Sequence, residues 1–154
     1  MKKRGFEIAR GFENEHISLP RRATQHSAGY DFEAAEDTLI PSIWSQKEKK
    51  PAFVKTGVKA YMQEDEALFL FNRSSGPFKK GLVMANSVGV VDSDYYSNED
   101  NDGHIMFAFY NFFPEDVLIK KGERIGQGVF QTYLKTDDDE ASSARMGGFG
   151  STQL

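Results

Sequence analysis

Cysteine is absent from the 154 residues, and this removes disulfide scaffolds, thiolate zinc sites, iron–sulfur clusters and cysteine nucleophiles together. Charge of one sign is lacking as well. The 19 Lys and Arg stand against 23 Asp and Glu, a net of -4, so there is no general electrostatic drive toward nucleic acid or an anionic membrane. Long hydrophobic runs are missing too: Lys2, Lys3 and Arg4 are followed by Glu7, Arg10 and Glu13, and neither a signal-peptide core nor a membrane span can be drawn. A cytoplasmic protein that engages neither nucleic acid nor membrane is the expectation.

Histidine is scarce. His16, His26 and His104 are scattered without ligand spacing, and each reads as a surface or structural residue. Neither an H-E-x-x-H helix nor a G-x-S-x-G elbow occurs, which counts against zinc-dependent hydrolysis or deamination and against an elbow-type serine hydrolase. Gly76-Pro77-Phe78-Lys79-Lys80-Gly81 has the glycine spacing of a phosphate-binding P-loop, but Leu82-Val83 stand where Lys and Ser or Thr belong. Asn98, Asp100, Asp102 and Gly103 mimic the opening of a calcium loop, yet the twelfth position is Phe109 rather than a bidentate Glu. That acidic stretch, like Asp137 to Glu140, reads as a solvated loop.

What is present is short apolar runs rich in aromatic and β-branched residues: Phe6–Ile8, Ala52–Val58, Ala67–Phe71, Val88–Val91, Ile105–Phe113, Val117–Ile119 and Ile125–Leu134. No stretch carries a sustained i, i+3, i+4 stripe, so the chain reads as all-β with at most one short helix. In Ile105–Phe113 only Asn111 is polar, the pattern of a strand covered on both faces, by a second sheet or a second subunit. The expected organisation is a β domain over residues 1–136 and a mobile C-terminal arm over 137–154. The arm's acidic, small-residue and glycine composition offers little to pack.

Polar groups with catalytic potential gather at turns between these runs. They are Ala28-Gly29-Tyr30-Asp31, Arg73-Ser74-Ser75-Gly76, Gly89-Val90-Val91-Asp92-Ser93-Asp94-Tyr95, Gly122-Glu123-Arg124-Ile125-Gly126-Gln127 and Arg145-Met146-Gly147-Gly148-Phe149-Gly150-Ser151-Thr152. Each alone is ordinary. In this order and at these separations, from Leu19-Pro20 to Thr152, they resemble the five motifs of the trimeric dUTPase family.

That resemblance implies a distorted jelly-roll β-barrel and a homotrimer whose sites draw on all three chains. It also implies hydrolysis of dUTP to dUMP and pyrophosphate with Mg2+, which keeps uracil out of DNA and supplies dUMP for dTMP synthesis. By the same resemblance Arg73, Ser74, Ser75, Gln127, Arg145, Ser151 and Thr152 bind the phosphates, whose charge calls for cations and N–H or O–H donors. Asp31 would hold the magnesium through water. Asp92 matches the general base that activates the attacking water; spacing alone leaves Asp94 equally placed, and the family pattern selects Asp92. A β-hairpin from Asn86 to about Met106 would read the uracil edge through Asn86 and Met106. Tyr95 would pack on the deoxyribose, and Phe149 would stack over the base when the arm closes. The chain departs from the family by an insertion at Ser97 to Asp102, by Gly126 where alanine is common, by its Gln153-Leu154 ending and by a long Pro41–Pro51 segment. The rival readings are a dCTP deaminase-like enzyme of the same fold and a catalytically silent jelly-roll module.

Overall fold

The computed structural model describes residues 1–148. Eleven strands and one short helix follow one another: β1 Gly5–Ile8, β2 Tyr30–Glu33, β3 Thr38–Ile40, β4 Ala52–Lys55, β5 Val58–Tyr61, β6 Glu66–Asn72, α1 Gly76–Lys80, β7 Leu82–Met84, β8 Gly89–Asp92, β9 Met106–Asn111, β10 Val117–Ile119 and β11 Arg124–Thr132. They pair antiparallel in four sheets, β1-β5, β3-β10, β2-β11-β6-β8 and β4-β9-β7. Among the described residues no helix is long and apolar enough to cross a membrane.

The core lies between the two larger sheets. Phe32, Leu68, Phe107, Phe109 and Ile119 are fully buried, and the rings of Phe32 and Phe107 meet at 5.5 Å, close enough for aromatic contact beyond simple area burial. β9 alternates: Phe107, Phe109 and Asn111 are buried while Met106, Ala108 and Tyr110 stay half-buried, so one face of the expected two-sided strand is only partly covered by its own chain. Asn111, the polar residue in that run, is fully buried. Its amide donates to the carbonyls of Ile40 (3.1 Å) and Glu115 (2.8 Å) and accepts from the Phe113 N–H, which satisfies the group and ties β9 to β3.

The run Ala52–Val58 is broken in two. Gly57 has φ +71°, a left-handed conformation that glycine adopts more readily than residues with a Cβ, and its N–H donates to Nε2 of the buried His104 (2.9 Å). At Gly76–Gly81, Pro77 in the first turn and Gly81 at φ 66° delimit α1. The Pro41–Pro51 segment opens with a 3-10 turn at Ile43–Ser45, capped by Ser42, whose hydroxyl accepts from the Trp44 N–H; the Trp44 indole donates to the Phe112 carbonyl at 2.9 Å.

The acidic stretch after Tyr96 departs from expectation: it is a closed hydrogen-bonded loop. Asn98 is buried; its Oδ1 accepts from the N–H groups of Asp100 and Asn101. Asp102 receives Lys59 Nζ and the Arg10 N–H. Burial alone would raise this carboxyl, but the Lys59 and Arg10 contacts outweigh it and hold it below the ordinary range. Short side-chain amides and carboxylates that bond their own backbone order a polar segment as effectively as apolar packing does.

Burial lowers the His104 imidazole from 6.5 to about 4, with Lys55 adding to the depression and Glu36 opposing it. The folded chain therefore keeps His104 neutral where the unfolded chain protonates it. Stability present above pH 6.5 is lost as pH falls toward the folded value. His104→Gln, which retains an acceptor for the Gly57 N–H, should flatten the fall in the urea midpoint between pH 6.5 and about 5; an unchanged slope would assign that fall to other groups.

Candidate active site

One pocket, of about 210 Å3, is lined by Leu70, Asn86, Gly89, Asp92, Tyr95, Met106 and Arg145 among others. Five of the residues expected in the site thus converge. β8 supplies one of them and part of the wall: Asp92 ends the strand half-exposed, and a side chain at Gly89 would press on Leu70. The strand does not run on to Asp94, because Ser93–Tyr95 form a 3-10 turn. The two carboxylates therefore do not share a strand face, as continued extension would require.

The expected hairpin is also differently built. β8 pairs with β6 and β9 pairs with β4 and β7, so no ladder joins β8 to β9. Asn86 and Met106 still meet, because Met84 lies opposite Phe109 and the Ala85 N–H donates to the Ala108 carbonyl at 2.9 Å, carrying the following turn toward the start of β9. Tyr95 is buried behind the pocket, its hydroxyl donating to the His104 carbonyl (2.7 Å) and accepting from Asn101 Nδ2 (2.8 Å). Burial raises this phenol, with the Asn101 bond opposing the shift.

Arg145, expected on phosphates, is ion-paired with both carboxylates of its own chain: Nε donates to Asp94 Oδ1 at 2.6 Å and Nη2 to Asp92 Oδ2. A guanidinium's planar donor fork suits two neighbouring carboxylates as well as it suits phosphate oxygens. The arm lies close over the pocket here, since a Cβ on Gly148 would fall 2.5 Å from Tyr95 Cε1 and one on Gly147 would fall 3.2 Å from Asp100. Phe149, Ser151 and Thr152 lie outside the described residues.

The remaining expected residues form a second, cationic cluster. Asp31 sits in a cleft of about 330 Å3 with Arg21, Arg22, Glu33 and Arg124, its carboxylate 3.9 Å from the Arg124 guanidinium. Gln127 is its register partner on β11 and donates to the Asn72 carbonyl at 3.2 Å. Arg73 reaches the Arg124 carbonyl at 3.5 Å, and with Ser75, Lys79 and Lys80 it lines a narrow cleft; Ser74 beside it is exposed. Arg21, Arg22 and Arg124 were not among the residues expected from sequence. The only signals for them are the Arg pair after Pro20 and the Arg inside the Gly122–Gln127 motif.

The two clusters are apart. Asp31 is on β2 and Asp92 on β8, the outer strands of the β2-β11-β6-β8 sheet. The registers Asp31↔Gln127↔Phe71 and Ala67↔Asp92 also offset the two along the strands. Three inter-strand spacings and four residue rises separate them by about 20 Å. Among the described residues no three His, Asp or Glu converge as metal ligands.

Residues 15–153 match the sequence model of the dUTPase family. The chain is 51% identical over 154 residues to the deoxyuridine 5'-triphosphate nucleotidohydrolase of Lactococcus lactis subsp. lactis, covering 99% of each. It is 34% identical to that of Rickettsia felis, covering 91% of each. The crystal structure of the dUTPase from Streptococcus mutans superposes with a TM-score of 0.78 at 48% identity, over 86% of this chain and 98% of that one. The five motifs, the jelly-roll strand order that spaces them and these likenesses along nearly the whole chain agree, and the chain belongs to the dUTPase family.

Proposed function

We propose that the protein hydrolyses dUTP to dUMP and pyrophosphate at a site assembled between subunits of a homotrimer. The observation that carries this reading is the convergence of Asn86, Asp92, Tyr95, Met106 and Arg145 on one pocket, while Arg73, Asp31 and Gln127 lie at the far side of the same sheet. A nucleoside triphosphate cannot bridge such a gap and keep compact contacts at both ends. A neighbouring subunit that brings its Arg73 cluster to this chain's Asp92 pocket completes the site. The half-buried face of β9, with Met106, Ala108 and Tyr110, is apolar surface that such a neighbour would cover.

In this site Asn86 and Met106 border the uracil, and Tyr95 presents its ring to the deoxyribose. Arg73, Ser74, Ser75 and Gln127 hold phosphate oxygens, and Phe149, Ser151 and Thr152 close over the substrate from the arm. Asp92 accepts a proton from the water that attacks the α-phosphorus, and pyrophosphate leaves in line. Before that, Arg145 exchanges its carboxylate partners for phosphate oxygens, which frees Asp92 to act as base. Asp31, with Glu33 in the same cleft, would hold through water a magnesium carried on the substrate's phosphates, the neighbouring arginines would meet the phosphates, and the ion would supply charge neutralisation. The domain division follows the same reading, with residues 1–136 as the barrel and 137–154 as a lid.

The decisive assay is pyrophosphate release from dUTP beside dCTP, dTTP and UTP. Asp92→Asn should retain nucleotide binding while turnover falls by about a hundredfold or more; parental turnover would pass the role to Asp94. Equimolar mixing of inactive Asp92→Asn and Arg73→Ala subunits should restore about a quarter of parental activity, because each mixed trimer holds one site with both groups intact. A fully active monomer by light scattering would overturn the composite site. Deleting Met146 to Leu154 should leave folding and assembly intact but lower turnover more than it weakens dUMP binding, since dUMP lacks the outer phosphates; full turnover in the truncated protein would refute the lid.

A further inference from the structure

The inserted loop, which the dUTPase motifs do not account for, is bonded to a residue of the nucleotide pocket. Asn101 Nδ2 donates to the Tyr95 hydroxyl at 2.8 Å. Its Oδ1 is already taken by two donors, Asn98 Nδ2 at 2.8 Å and the Gly103 N–H at 3.1 Å. The amide can therefore present only its NH2 group to the phenol. Asn98 closes the arrangement by donating to the Tyr95 carbonyl at 2.7 Å. The phenol spends its one proton on the His104 carbonyl, and His104 is itself buried and bonded to Gly57. Tyr95 is thus gripped at its hydroxyl from both sides and at its backbone from a third.

We propose that Asn101, and through it the inserted loop, is a positioning residue that fixes the Tyr95 ring as the wall of the sugar subsite and so sharpens discrimination between deoxyribose and ribose nucleotides. This rests on the dUTP reading of the pocket. A 2'-hydroxyl is excluded only where the wall cannot recede, and a phenol held by one bond instead of two can tilt to admit it. The inserted loop replaces a short turn with a fixed donor.

Asn101→Asp keeps the acceptor used by Asn98 and Gly103 but removes the donor to Tyr95; Tyr95→Phe removes the acceptor and keeps the ring. In each variant the ratio of kcat/KM for dUTP over UTP should fall by about threefold to tenfold, the range of one ordinary net hydrogen bond. The change should lie mainly in KM, with the same loss in the dUMP over UMP affinity ratio. The double variant should be no less selective than Tyr95→Phe alone, because Tyr95→Phe, which also lacks the bond to the His104 carbonyl, has already lost the bond that Asn101→Asp removes. Glu99→Ala, an exposed change in the same loop, should leave selectivity at the parental value. Parental selectivity in Asn101→Asp, or losses that add in the double variant, would overturn the proposal even with a lowered melting temperature. A parent that releases no pyrophosphate from dUTP would instead overturn the reading of the pocket on which it rests.

Discussion

The close approach of β11 to the aromatic core is the constraint on which the rest depends. A Cβ on Gly126 would overlap the Phe107 ring, and one on Gly128 would lie 2.9 Å from Leu68 Cδ1 and 3.0 Å from Phe32 Cε2. Glycine weakens a strand in isolation, but here it lets the rings pack directly on backbone, and the burial of Phe32, Leu68 and Phe107 offsets that cost. With β11 seated in this way, β2 and β6 pair on its two sides and β8 follows β6. The places of Asp31, Gln127, Arg73 and Asp92 then follow from strand order. The Phe107 ring leaves no room for a methyl group at Gly126.

Strand order separates charge as well as position. Arg21, Arg22 and Arg124 line the cleft of Asp31 and Arg73, past the end of β6, reaches the Arg124 carbonyl, whereas Asp92 and Asp94 stand at the end of β8 with Arg145 as their cation. In the proposed reaction this keeps the triphosphate's cations away from the carboxylate that would accept a proton until a neighbouring subunit joins the two edges, and Arg145 would then exchange one set of anionic partners for the other.

The insertion after Tyr96 links the pocket to the β1-β5 pair. Lys59 on β5 and Asp102 form a nearly buried ion pair, with side-chain exposures of 14% and 13%, and the Tyr96 hydroxyl bonds Glu7 on β1. Removing one partner of such a pair leaves an uncompensated charge, so the loop resists opening. A hydrogen-bonded segment behind Tyr95 is what the proposed role of Asn101 requires.

Much of this was legible in the amino-acid order. Apolar alternation and turn residues marked most strands, and the five motifs carried the family, because both are local properties of the chain. Four strands lie wholly or mostly outside the expected runs: β2, β3, β5 and β7 are three or four residues long and owe their extended form to partners distant in sequence. The acidic run at Asn98 to Asp102 was misread as a solvated loop, since composition reports charge but not that Asn98 Oδ1 would find two backbone N–H groups. The family resemblance implies a hairpin from Asn86 to about Met106, yet β8 and β9 join different sheets. Residue identity determined which chemistries were available. Only the tertiary structure decided which groups share a pocket and which lie apart, because sheet register turns separations in sequence into separations in space.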